Sequence, residues 1–218
     1  MPQLSNYDVY IFDCDGVVLD SNSLKLEAMK NALQAHFSNH KLIEACVGYF
    51  RDNFGMSRFH HVDHFLENLI PVKADKKKSL SQKILNDYSM HCRKLYLTAE
   101  LTSGFRDFLQ KCSGKKYIAS GSEQNELRDV FKLRGLDVLF DNIYGSPTSK
   151  KSLVASILDI NQKPSAVLFG DAYADMYAAI DNNIDFVAYL PFSLVKENLK
   201  DDALNRGFDV IYSWEEYV

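Results

Sequence analysis

Apolar residues in this chain follow two rhythms. Short unbroken runs such as Val9-Tyr10-Ile11-Phe12 and Ala166-Val167-Leu168-Phe169 read as strands buried on both faces. Lys116–Ser120 and Phe186–Leu190 read the same way, Val138–Tyr144 carries a strand-like piece, and Asp209–Tyr212 reads as a last, edge strand. Between them, helical spacing predicts Phe105–Cys112, Glu123–Leu133, Lys151–Leu158 and Ala174–Asn182. Strands alternating with helices of this length predict an α/β fold, a doubly wound parallel sheet covered on both faces. The stretch after the first strand breaks the alternation. Asp20 and Ser21 offer N-caps for a helix to about Phe37, with Leu24, Ala28, Leu33 and Phe37 as its apolar face. His40–Phe54, Arg58–Ile70 and Ser79–Tyr96 also read as helices, with Pro71 ending the third. The sequence therefore predicts a core from residues 1–20 and 99–218 and an α-helical cap, 21–98, inserted after the first strand. The two crossings, Leu19–Ser21 and Thr98–Gly104, should act as a hinge that lets the insert open for substrate and close against water.

Composition adds bounds. Of 218 residues, 46% are hydrophobic and 25% charged, which is ordinary for a globular protein, and the net charge of −4 gives no general attraction to nucleic acid or an acidic membrane. A phosphorylated substrate would have to be drawn locally, by a metal or a few cations. Cys14, Cys46, Cys92 and Cys112 are scattered, with no Cys-x-x-Cys pair, as in reduced cytoplasmic proteins. Cys14 lies between two aspartates, and its side chain should point to the opposite side of the strand. The polar N-terminus, and the lack of any apolar stretch of spanning length, point to a cytoplasmic enzyme or binding protein. Nothing in the sequence signals an oligomeric state. Lys76-Lys77-Lys78 reads as a solvated connector. His60 and His64 are one turn apart and could share a metal, but no third ligand is evident, so the His60, His61, His64 group reads as ordinary, partly exposed histidines.

Four strand ends carry the candidate chemistry. The first strand ends in Asp13-Cys14-Asp15-Gly16, where carboxylates sit at the carboxyl edge of the sheet and repel unless a cation or a shared proton relieves them. The second ends at Ser120-Gly121-Ser122, leading into a helix, where a hydroxyl and backbone N–H groups suit a phosphate. Such residues are equally plain N-caps. Ser149-Lys150-Lys151 opens another helix, and a cation there works against the helix dipole unless it faces an acidic cleft. Lys150 is preferred over Lys151 as the inward residue, because Leu153 starts the apolar face. The fourth is Gly170-Asp171 with Asp175 in the first turn of the next helix, where an acid also serves as a cap. Carboxylates converging on one cleft call for a hard divalent cation, for which Mg²⁺ is suited.

These four stretches together resemble the haloacid dehalogenase-like superfamily, specifically its helical-cap phosphatases, over nearly the whole chain. Asp13-Cys14-Asp15-Gly16-Val17 is similar to the first motif, Ser120 to the second, Lys150 to the third, and Gly170-Asp171 with Asp175 to the fourth. The resemblance implies a Rossmann-like core and a Mg²⁺-dependent phosphatase acting through an aspartyl phosphate on a small phosphorylated metabolite, a sugar phosphate or a phosphoglycolate-like acid. It implies Asp13 as nucleophile and Asp15 as general acid and base. Asp13, the Asp15 carbonyl, Asp171 and Asp175 would serve the metal, and Ser120, Gly121 and Lys150 the phosphoryl oxygens. Asp15 argues against the family's dehalogenases and phosphonatases. Phosphosugar mutases of the β-phosphoglucomutase type keep both acids but usually carry a histidine where this chain has Lys25. A binding protein on the same fold is the third reading, against which the intact acids and Lys150 speak. Gly55-Met56-Ser57-Arg58 resembles a cap turn of sugar-phosphate members, which makes Arg58 a candidate for a substrate anion. Lys25, just past the hinge, is placed to face the cleft.

Overall fold

The computed structural model describes residues 7–216. Six parallel strands form one sheet in the order β3-β2-β1-β4-β5-β6: β1 Val9–Phe12, β2 Lys115–Glu123, β3 Asn142–Ser146, β4 Ala166–Gly170, β5 Asp185–Tyr189 and β6 Asp209–Ile211. β1 lies at the centre, with Phe12 opposite Ile118 on β2 and Phe169 on β4. Strand alternation divides its side chains between two cores. Val9 and Ile11 face α7 Lys150–Ile160, α8 Tyr173–Asn182 and α9 Lys196–Asn205. Tyr10, Phe12 and Cys14 face α5 Phe105–Lys111 and α6 Gln124–Leu133. Cys14 thus points away from its neighbouring acids, and all four cysteines are buried and unpaired. Trp214 closes the second core against Phe108 and Tyr189. No helix among the described residues is long and apolar enough to cross a membrane.

Between β1 and α5 the chain is all helical: α1 Asn22–Gln34, α2 His40–Asp52, α3 Arg58–His64 and α4 Ala74–Thr98. The two crossings are tied to each other. Asp20 N–H donates to the Glu100 carbonyl at 2.9 Å and Thr102 N–H to the Val18 carbonyl at 3.0 Å. The Thr102 hydroxyl donates to the Val17 carbonyl and accepts the Trp214 indole N–H, which anchors the return crossing to the core.

Several elements differ from the sequence reading. α1 stops at Gln34 and turns Leu24 to solvent, burying Asn22, Lys25, Ala28, Met29, Ala32 and Leu33 instead. Ser21 makes no side-chain cap, because its hydroxyl is taken by Asp15. α3 gives way to a π turn over Phe65–Leu69, and Ile70 before Pro71 is extended, as a residue preceding proline prefers. α4 begins at Ala74, so Lys76–Lys78 lie within its first turns rather than in a connector. Straight-chain lysines are good helix formers, Asp75 favours the first turn, and Lys77 pairs with Glu67 at 2.6 Å. The strand anticipated within 138–144 starts only at Asn142, because Asp137–Leu139 form a 3₁₀ turn that leaves Val138 exposed.

Candidate active site

The acids at the end of β1 are placed by the turn that follows. Gly16 adopts φ +75°, in the left-handed region, and a Cβ there would collide with Asn22 and Asp171. Val18 and Leu19 N–H both return to the Cys14 carbonyl, so the turn is closed on itself. Asp13 and Asp15, one residue apart, consequently meet different surroundings.

Asp13 faces β4 and α7. Its Oδ1 lies 2.9 Å from Lys150 Nζ and accepts the Cys14 N–H at 2.7 Å. Lys150 also donates to Asp175 Oδ1, while Asp175 Oδ2 accepts the Ala172 N–H and so caps α8. Lys150 is therefore the buried lysine; Lys151 is exposed and pairs with Asp181. Asp13, Asp171 and Asp175 each offer a carboxylate oxygen within 4.8 Å of the others, all buried. Burial pushes the Asp13 carboxyl up, Lys150 opposes this, and Asp175 and Asp15 add to it. Burial, then Asp13 and Asp175, push Asp171 well above its ordinary value. Asn22 Nδ2 donates to Asp171 Oδ2 at 2.5 Å, but Asp171 Oδ1 is buried without a hydrogen-bond partner. An all-oxygen cluster of repelling carboxylates with an orphaned oxygen fits a hard divalent cation such as Mg²⁺.

Asp15 turns the other way, so its carboxylate stands apart from that cluster. Lys25 Nζ donates to Oδ2 at 2.8 Å, and Ser21 to Oδ1 at 2.7 Å. The Tyr96 and Ser122 hydroxyls lie within 3.0 Å of the carboxylate and 2.6 Å of each other. Burial alone would raise its pKa, but Lys25 and these hydrogen bonds outweigh it and hold the carboxyl below the usual range.

The second strand end departs from the sequence reading. β2 continues to Glu123 through an irregularity after Ala119, and Glu123, not Ser120, caps α6 by accepting the Glu126 N–H. Ser120 is buried beside Asp15's partner Ser122, whose N–H it accepts at 3.1 Å. Gly121 meets the inserted helices: a Cβ there would stand 2.4 Å from the Gly55 carbonyl oxygen.

Arg58 lies at the far wall, buried and already paired. Its Nη2 is 2.8 Å from Glu126 Oε2, its Nη1 donates to Glu126 Oε1 and Ser89, and its guanidinium sits over the Tyr88 ring. His61 is buried as well, against the sequence reading. Arg58, His61, Val62 and Phe65 share the inward face of this turn, while His64 stacks on Tyr49 and His60 bonds the Tyr49 hydroxyl. Sequence reasoning gave no role to Asn22, Tyr96, Ser122 or Glu126. Only the spacing of Arg58 and Phe65 about His61 was readable as a signal. Asp13, Asp15, Lys25, Arg58, His61 and Gly121 all border one narrow cavity of about 10 Å³, room for a single water.

Known structures share this architecture. One described as a predicted phosphatase from Clostridium acetobutylicum superposes with a TM-score of 0.75 at 15% identity, over 97% of this chain and 96% of its own. CbbY from Rhodobacter sphaeroides, solved in complex with xylulose-(1,5)bisphosphate, gives 0.73 at 14% identity over 96% of each chain. The HAD-hydrolase YfnB from Bacillus subtilis, solved bound to magnesium, gives 0.65 at 17% over 97% of each. At such identities the likeness speaks for the fold. No match by sequence is found among curated proteins. The sequence pattern of the haloacid dehalogenase-like hydrolases does match, over residues 7–182, a span that holds Asp13, Asp15, Ser120, Lys150, Asp171 and Asp175. The chain belongs to the haloacid dehalogenase-like hydrolases.

Proposed function

We propose that this protein is a Mg²⁺-dependent phosphatase that moves the phosphoryl group of a small phosphorylated metabolite onto Asp13 and then to water. The observation that carries the reading is the division of labour between the two acids ending β1. Asp13 is held by Lys150 beside the carboxylate cluster, whereas Asp15 is held by Lys25 and hydroxyls on the opposite side. A carboxylate beside a cation site suits a nucleophile, and one set among hydroxyls across the cavity suits proton transfer.

In this reading an Asp13 oxygen attacks phosphorus, and the bond to the leaving oxygen breaks. Asp15 gives that oxygen a proton, which the dianionic phosphate arriving beside it helps Asp15 to carry. Asp15 then takes a proton from the water that cleaves the aspartyl phosphate. Lys150, the Ser120 hydroxyl and the Gly121 N–H hold the phosphoryl oxygens. Asp13, Asp171 and the Asp15 carbonyl would hold the metal, with Asp175 fixing Lys150. Bound there, Mg²⁺ would supply positive charge that shields the anionic nucleophile from the anionic phosphate. Residues 21–98 act as a cap: a cavity of about 10 Å³ admits no substrate, so the cap opens at the paired crossings and closes over the ester. The magnesium-bound neighbour supports the cofactor, and the sugar-bisphosphate-bound one supports a small phosphorylated substrate in general.

The test is phosphate release from a panel of phosphorylated metabolites, with Mg²⁺ or EDTA, for wild type and Asp13→Asn. Release should need Mg²⁺ and fall by about a thousandfold or more in the variant. Release that survives in Asp13→Asn would sink the reading, and conversion of a phosphosugar to its isomer without free phosphate would indicate a mutase.

A further inference from the structure

The cavity over the reacting acids has no spare positive charge. Lys25 is bonded to Asp15, Lys150 to Asp13 and Asp175, and Arg58 to Glu126. Glu126 comes from α6 of the core and reaches across to the inserted helices, where Ser89 also donates to it. Arg58 Nε makes no hydrogen bond, yet a second substrate anion bound there would share the guanidinium with the Glu126 carboxylate. Two anions on one buried cation leave an uncompensated buried charge, which is costly.

The uncharged polar side chain of that lining left without a hydrogen bond is His61. It is 1% exposed, its ring lines the cavity, and neither ring nitrogen makes a hydrogen bond. Phe50, at 4.5 Å between ring centroids, packs beside it, and Phe54 and Tyr88 complete an apolar wall. Burial, with His60, Lys25 and His64 nearby, keeps the imidazole neutral, and the Met56 carbonyl opposes this only weakly. A neutral imidazole has one donor and one acceptor, the complement of an alcohol.

We infer that the leaving group is an uncharged, hydroxylated one, a small polyol or sugar whose hydroxyl bonds His61, and that Glu126 on Arg58 excludes esters carrying a carboxylate or a second phosphate. This rests on the phosphatase reading and narrows its substrate class. His61 is left unbonded in the closed protein because its partner arrives with the substrate. Arg58, the residue a sequence reading gives to a substrate anion, is here the anchor of an internal acid.

The experiment compares three esters on the wild-type enzyme: p-nitrophenyl phosphate, glycerol 3-phosphate and 2-phosphoglycolate. The polyol ester should exceed the carboxylate ester in kcat/KM by about tenfold or more. Glu126→Gln should narrow that ratio by about tenfold, by releasing Arg58 to the carboxylate. His61→Phe, which keeps the shape and loses the hydrogen bonds, should lower kcat/KM for glycerol 3-phosphate about tenfold more than for the aryl ester. Turnover of the aryl ester combined with a wild-type preference for phosphoglycolate overturns this inference and leaves the phosphatase standing. Absence of turnover with all three esters, under Mg²⁺, overturns both.

Discussion

Replacing His61 with glutamine should remove a measurable part of the protein's sensitivity to mild acid. Burial pushes the His61 pKa down from 6.5 to about 3; His60, Lys25 and His64 add to the effect and the Met56 carbonyl opposes it. In the unfolded chain the ring titrates at its ordinary value. Below that value the unfolded state takes up a proton that the folded state refuses, so stability is intact at neutral pH and falls as the pH drops through 6.5 towards 3. The slope approaches about 1.4 kcal/mol per pH unit, which makes about 2 kcal/mol lost by pH 5. Any folded value below about 4 gives the same loss at that pH, so the figure does not depend on how deeply the pKa is depressed.

Glutamine titrates in neither state, and the other histidines contribute to both proteins alike. Urea unfolding of wild type and His61→Gln, followed by far-ultraviolet circular dichroism, gives the stability difference at about pH 7.5 and about pH 5. That difference should move by about 2 kcal/mol in the variant's favour on acidification. Fluorescence of Trp214, the chain's one tryptophan, should give coincident transitions if the unfolding is two-state. A difference constant to within about 0.5 kcal/mol would refute a neutral buried ring, and a shift in the wild type's favour would mean that the fold holds it protonated.

Two further predictions concern closure and the carboxylate cluster. Gly121→Ala places a Cβ 2.4 Å from the Gly55 carbonyl oxygen and 2.8 Å from that of Met56, so the insert cannot seat. Its kcat/KM should drop by about a hundredfold while thermal unfolding changes little, and wild-type kinetics in this variant would show that closure does not require this contact. Mg²⁺ at about a hundred times its Kd should raise the Tm by about 5–10 °C, since relief of the repelling acids is confined to the folded state. Asp171→Asn should abolish most of that rise, and an undiminished shift would place the metal elsewhere.

What could be read from the sequence was local in origin. The strand ends were legible because burial on both faces makes an uninterrupted apolar run, and an acid that ends such a run stands at the ligand-binding edge of the sheet. Lys150 was legible from the phase of one helix: Leu153 must face the sheet, and Lys150, one turn earlier, faces the same way. Glu126 was not. In the sequence it is an acid in the first turn of an amphipathic helix, as suits the helix dipole, and only the seating of α3 and α4 over α6 gives it Arg58 and Ser89. Tyr96 likewise reads as one more core aromatic on α4 until that helix lays its hydroxyl on Asp15. Ser21 was misread because the same hydroxyl could cap α1 or bind Asp15. A buried carboxylate competes better for it than the solvated N-terminus of a helix does.

The partners hidden from the sequence share a geometry. Lys25 from α1 meets Asp15 and Ser122, Arg58 from α3 meets Glu126, and Tyr96 from α4 meets Asp15. Each joins the inserted helices to the core across the cavity, and two are buried ion pairs. Such a seam is suited to motion. Separating a buried pair loses its attraction, but water recovers the hydration that burial had removed, so the two nearly cancel. An apolar seam would lose on every square ångström exposed. Ion pairs make closure specific in register at low net energy, as the proposed opening of the insert at each turnover would require. Apolar contact crosses the seam as well, since one buried cluster runs from Phe12 and Trp214 in the core to Phe50, Phe65 and Tyr88 in the inserted helices, so the ion pairs add register to an apolar closure rather than replace it.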